Sequence, residues 1–123
     1  MNSPALSLRP FIGSLNFEVS RAFYKAIGFE ENAVLPNMSV FSKDRSAFYL
    51  QRYYVKEWVD NTMLFLEVAD VPECWRSLDA MKLPETFPGA RLDPIRHEEW
   101  GHAFALIDPS GVLWHVGAFR KDD

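Results

Sequence analysis

The sequence predicts an α+β protein of two βαβββ modules, on three observations: a repeat between its halves, a second match at the end of each half, and a length suited to one core. Placing Phe11–Phe29 (FIGSLNFEVSRAFYKAIGF) over Phe65–Leu83 (FLEVADVPECWRSLDAMKL) aligns an apolar strand-like run, a polar cap and a helix-like run. The match returns where Asp44–Gln51 lies over Asp108–His115, each a turn followed by a strand. A chain of 123 residues buries one core and is too short for two independent domains. A single domain is expected, with module one over about residues 1–58 and module two over about 59–123.

Each element has a local reason. Asn16 and Asp70 stand where helix N-caps belong, their side-chain oxygens able to accept from a free backbone N–H of the first turn. The first helix carries Val19, Ala22, Phe23, Ala26 and Ile27 as its expected buried face and leaves through Gly28. The second carries Val71, Cys74, Trp75, Leu78 and Met81, and Pro84 follows. Strands are expected over Met38–Ser42 and Trp100–Ile107, leading into Asp44 and into the strong turn signal Asp108-Pro-Ser-Gly111. Lys56–Thr62 reads as the link between halves.

Composition narrows the function classes. Hydrophobic residues make up 48% and charged residues 24%, as in an ordinary globular chain. The 13 Lys and Arg are scattered and outnumbered by 17 Asp and Glu, which excludes a nucleic-acid surface built on clustered cations. No apolar run approaches the ~20 residues that cross a bilayer, and the N-terminal MNSPALSLRP lacks an apolar signal core, so no membrane partner and a cytoplasmic location are expected. One cysteine, Cys74, excludes an internal disulfide and reads as a buried helix position. No phosphate loop or nucleophile elbow is present, and no catalytic residue is assigned.

Ser20-Arg-Ala-Phe-Tyr-Lys-Ala-Ile-Gly-Phe29 and Trp100-Gly-His-Ala-Phe-Ala-Leu-Ile-Asp-Pro-Ser-Gly111 resemble the two signatures of the glyoxalase/bleomycin-resistance/dioxygenase group, the vicinal-oxygen-chelate superfamily. Val59-Asp-Asn-Thr62, Leu64–Val68 and Leu113-Trp-His-Val-Gly117 further resemble the bleomycin-resistance proteins. With the duplicated order of elements, the resemblance covers nearly the whole chain. It implies a concave mixed sheet with helices on the convex face, a small-molecule site in the concavity, and a homodimer that exchanges an N-terminal arm, here Met1–Pro10.

The resemblance also places the metal ligands of the superfamily's enzymes, at Arg9, Gln51, Met63 and His115. Arginine keeps its charge and repels a cation, and a thioether suits a hard or borderline metal poorly. His115 and Gln51 alone make a weak site, so no metal and no cofactor are expected. His97 and His102 have no partner at helical or strand spacing; His97 reads as a solvated loop residue, and His102 as a strand-surface or cavity-lining one. Adjacent Glu98 and Glu99 would point to opposite faces of a strand.

Alternation along the strands groups Arg9 with Phe11 and Gly13, Met63 with Phe65 and Glu67, Tyr49 with Gln51, and Leu113 with His115. Such a lining is apolar and aromatic with a few polar groups. The expected ligand-binding residues are Arg9, Phe11, Tyr49, Gln51, Met63, Phe65, Glu67, Trp100, His102 and His115. The resemblance then implies a protein that sequesters an aromatic or cationic small molecule, as in antibiotic resistance, without a complete metal site. Its alternative is a metal-dependent lyase or isomerase, thioltransferase or extradiol dioxygenase. Phe23, Phe29 and Trp75 read as core beneath the helices.

Overall fold

A computed structural model describes residues 2–121, which fall into two compact units, one ending at Tyr54 and one beginning at Val55. In the first unit, β1 (Phe11–Gly13) leads into α1 (Phe17–Ala26), followed by β2 (Glu30–Leu35), β3 (Met38–Lys43) and β4 (Ser46–Gln51). The sheet order is β1-β4-β3-β2, with β1 parallel to β4 and the other pairs antiparallel. This is the expected βαβββ module. The arm anticipated over Met1–Pro10 starts at Met1, outside the described residues; residues 2–10 form no strand, and Arg9 therefore stands just before β1.

The cap of α1 is as the sequence predicts: Asn16 Oδ1 accepts from the Val19 N–H at 3.2 Å, and Gly28 leaves the helix at φ +113°. Its buried face is rotated from the expected one. Phe17, Ser20, Phe23 and Tyr24 are buried, while Ala22 and Ala26 are exposed and Val19 is half-buried. The rotation follows from the aromatic side chains. Tyr24 packs against Phe48 at 4.8 Å between ring centres and against Phe29 at 6.0 Å, and Phe41 stacks on Phe48 at 5.6 Å. Ring contacts of this kind add about 0.5–1.5 kcal/mol each to the area buried, more than an alanine methyl offers.

In the second unit, α2 (Lys56–Asp60) occupies the segment expected to be a plain link, its Lys56 and Asp60 paired one turn apart. Then come β5 (Met63–Glu67), α3 (Val71–Ala80), the short α4 (Leu83–Thr86), β6 (Arg91–Leu92), β7 (Arg96–Glu98), β8 (Gly101–Ile107) and β9 (Leu113–Phe119). The order β5-β9-β8, with β6 and β7 both on the far edge of β8, repeats the first sheet, its last edge broken at residues 93–95. Asp70 Oδ1 caps α3 by accepting from Glu73 N–H at 3.0 Å. Cys74 and Trp75 are half-buried rather than buried, the Trp75 indole donating to the Asp93 carbonyl at 2.9 Å.

The two β-turns differ in a way that displaces the repeat. β3 and β4 join through Asp44 and Arg45 alone, with Asp44 at φ +54°, whereas β8 and β9 are joined by residues 108–112. Phe11 pairs with Tyr49, and Phe65 pairs with His115. The residue facing the first strand as His115 does is thus Tyr49, two positions before the Gln51 that the sequence alignment matched to it. The longer loop is held by Asp108, fully buried, whose Oδ1 accepts from the backbone N–H of Ser110, Gly111 and Val112 at 2.8–2.9 Å.

Candidate functional site

Strand period divides each sheet into two faces, and register fixes which residues share one. In the second unit Phe104, Leu106, Trp114 and Val116 form a buried row beneath α3. The opposite face carries Met63, Phe65 and Glu67 of β5 and Leu113, His115, Gly117 and Phe119 of β9, with Ala103 and Ala105 of β8. It is open: Met63 is 65% exposed, Phe119 56% and Phe65 45%.

An aromatic cluster sits on this face. Phe65 stacks on Phe119 with ring centres 5.4 Å apart and 25° between planes, and Trp100 meets both, at 6.0 and 5.6 Å. Gly117 makes the space: a Cβ there would stand 2.8 Å from the Ala103 Cβ and from the His102 carbonyl oxygen. Trp100 lies in the two-residue turn between β7 and β8 rather than at the start of a strand, and its carbonyl accepts from Arg120 N–H at 2.6 Å. His115 stands across from Phe65, and Glu67 across from Gly117, which puts an imidazole and a carboxylate beside the rings.

The first unit carries a smaller equivalent. Phe11 stacks on its register partner Tyr49 at 4.8 Å, and Arg9 reaches over the Tyr49 ring at 5.9 Å while donating to its hydroxyl at 3.3 Å. Such a contact between guanidinium and ring is worth about 0.5–1 kcal/mol at an exposed site. Gln51 lies on the same face, across from Gly13.

Nine of the ten expected residues thus lie on, or beside, the open face of their own unit. His102 does not. Its register partner is Ala118 and it shares the face of Phe104 and Leu106, opposite to Phe65 and His115. Across the β7–β8 pair it meets His97, which is on a strand and not in a loop, with ring centres 5.8 Å apart. Sequence reading missed two residues of the cluster. Phe119 falls on the face of Leu113 and His115 by simple alternation, and Gly117 is two residues short of it, so period two could have found both.

The donors at the positions where the resemblance implies a metal do not fit one. Met63 pairs with Leu113, so His115 is only its diagonal neighbour, and Gln51 is paired with Gly13 and Met38. Among the described residues no three His, Cys, Asp or Glu side chains are grouped to hold an ion. The ionisable group that is strongly perturbed lies elsewhere. Glu31 on β2 is held at about 2 by hydrogen bonds from Arg21 first, with Ser39 and Lys25 adding and burial opposing. Arg21, bound to Glu31 at 2.5 and 2.9 Å and to Glu18 at 2.7 Å, is raised in turn above the ordinary guanidinium value. This network braces α1 against β2.

Two units of βαβββ order with open faces of this kind define the glyoxalase/bleomycin-resistance fold. Among solved structures, the bleomycin-binding protein of Streptomyces verticillus, complexed with copper(II)-bleomycin, superposes with a TM-score of 0.78 at 19% identity, over 96% of this chain and 99% of that one. The bleomycin resistance determinant encoded on the transposon Tn5 gives 0.80 at 20% identity, over 94% and 98%. A lactoylglutathione lyase from Agrobacterium tumefaciens gives 0.71 at 16%, over 94% and 96%. No family model matches the sequence. No curated protein matches it.

Proposed function

We propose that this chain binds a planar, aromatic or cationic small molecule and holds it without changing it, as a sequestering protein of the antibiotic-resistance type. The observation that carries the reading is the open Phe65–Phe119–Trp100 cluster flanked by Glu67 and His115, beside a donor set unsuited to a metal. Exposed rings offer a stacking surface, and a neighbouring carboxylate favours positive charge on what stacks there. Phe11, Tyr49, Arg9 and Gln51 offer the equivalent surface of the first unit. The likeness to proteins crystallised with bleomycin makes bleomycin the first probe to use.

Titration with bleomycin should change the tryptophan emission and saturate, and the drug recovered afterwards should have its original mass. Trp100→Ala should weaken binding about three- to tenfold, the worth of one aromatic contact, with the fold intact. No saturable binding would overturn the reading, and a recovered product of altered mass would replace it with an enzyme.

The same reading makes the protein a cytoplasmic homodimer. Leu6 and Leu8, 95% and 92% exposed on the N-terminal segment, are apolar side chains that a second copy would cover at ~25 cal/mol per Å². Sedimentation equilibrium at micromolar concentration should give twice the chain mass, and a mass of one chain would refute the dimer.

A further inference from the structure

From the β7–β8 hairpin we infer that His97 and His102 form a second, separate ligand site: a two-imidazole site for a divalent transition metal. The two residues are direct cross-strand partners, so their side chains leave the same face of the sheet side by side. Their ring centres are 5.8 Å apart with 38° between planes. With metal–nitrogen bonds of about 2.0–2.1 Å, two imidazoles on one tetrahedral ion have ring centres about 5 Å apart, which small side-chain rotations reach from here.

Three further features favour an ion. Neither imidazole has a hydrogen bond or ion pair with another described residue, so none of those residues already holds its nitrogens. The two histidines also line a surface depression of about 440 Å³, together with Glu98, Gly101, Phe119, Arg120 and Lys121. His97 is exposed and His102 half-buried, which gives an ion direct entry.

The site's chemistry selects its occupant. Imidazole suits copper, nickel and zinc, in the order Cu2+ above Ni2+ and Zn2+, and offers little to magnesium or calcium. Arg120 and Lys121 on the rim oppose the cation itself and favour an anion on its open positions, while Glu98 offsets one of those charges. Glu98 is on the row of Gly101 and Phe119, whose face is the opposite one, so the primary donors are the two histidines.

The test is calorimetric titration of the untagged full chain with Zn2+ and with Cu2+, with NMR of the histidine rings in parallel. Saturation at one ion per chain is expected, with Cu2+ the tighter, and with the ring signals of His97 and His102 shifting while those of His115 stay in place. His97→Gln and His102→Gln should each weaken binding about tenfold or more, since each removes half of the donor pair, and His115→Gln should leave it unchanged. Because His97 is exposed, His97→Gln should melt as the parent does, which separates a lost ligand from a lost fold. Absence of saturable binding, equal binding by the His97 variant, or loss of binding in the His115 variant would each overturn the site.

Discussion

Phe65 ends 3.2 Å from the point where a Cβ on Gly117 would stand, so the open aromatic cluster of the second sheet depends on a residue with no side chain. Backbone tolerance is not the reason for this glycine. The space is occupied by the Phe65 ring on one side and by Ala103 and the His102 carbonyl on the other.

Gly117→Ala should therefore destabilise the protein by about 1–3 kcal/mol, because the new methyl meets the Ala103 Cβ and a carbonyl oxygen at 2.8 Å and the sheet has to shift. Thermal unfolding measures it. The same variant should tilt Phe65 off Phe119 and weaken bleomycin binding. An unchanged melting temperature would mean that the strands separate there at no cost.

Asp108→Ala should be more severe, costing about 2–4 kcal/mol, because three backbone N–H groups in a buried turn lose their common acceptor. Asp108→Asn keeps an oxygen of the same shape and should recover part of the loss. Denaturant unfolding of both variants checks the order, and equal stabilities would show that the carboxylate is not what holds the loop.

Much of this was legible because it is local. Asn16 and Asp70 cap their helices as a side chain one residue before a helix can, and alternation along β5 and β9 groups Met63, Phe65 and Glu67 with Leu113 and His115. The helix face of α1 was not legible, since Ser20 is fully buried and Ala22 exposed, the reverse of what their polarity suggests. The His97–His102 pair depends on a two-residue turn at Glu99 and Trp100; the glycine signal there is Gly101, one position past the two turn residues, which marks a turn without fixing the register. The displacement of Gln51 from His115 has a similar origin: both turns begin with Asp, but one is a tight hairpin and the other a loop closed on its own buried carboxylate.

The Arg21–Glu31 pair makes stability depend on acid. The Glu31 side chain, 9% exposed, titrates at about 2 in the folded protein against an ordinary 4.5, so its contribution is complete above the higher value and is lost as pH falls through the lower one. Melting temperature should fall between about pH 4.5 and pH 2, and Glu31→Gln should be less stable at neutral pH while losing less on acidification. Parallel curves for the two proteins would remove Glu31 from the acid response.

A last prediction concerns the position where the resemblance would place a catalytic metal. The resemblance groups Arg9, Gln51, Met63 and His115 there, and of these types a permanently charged guanidinium and a thioether suit such an ion poorly; within the second unit His115 faces Phe65 rather than Met63. Affinity there should be poor. Because His97 and His102 are expected to take up an ion by themselves, the measurement belongs on the His97→Gln/His102→Gln double variant, in which neither donor of that pair remains. An ion at 100 times its dissociation constant would stabilise the folded state by about 2.7 kcal/mol, a clear shift in thermal unfolding. Added nickel, zinc, iron or manganese should leave the melting temperature of that variant unchanged, and chelator should not lower it. A metal-dependent rise that disappears on a further His115→Gln change would locate a working ion beside the aromatic cluster and make a metal-dependent enzyme the better reading of the open face.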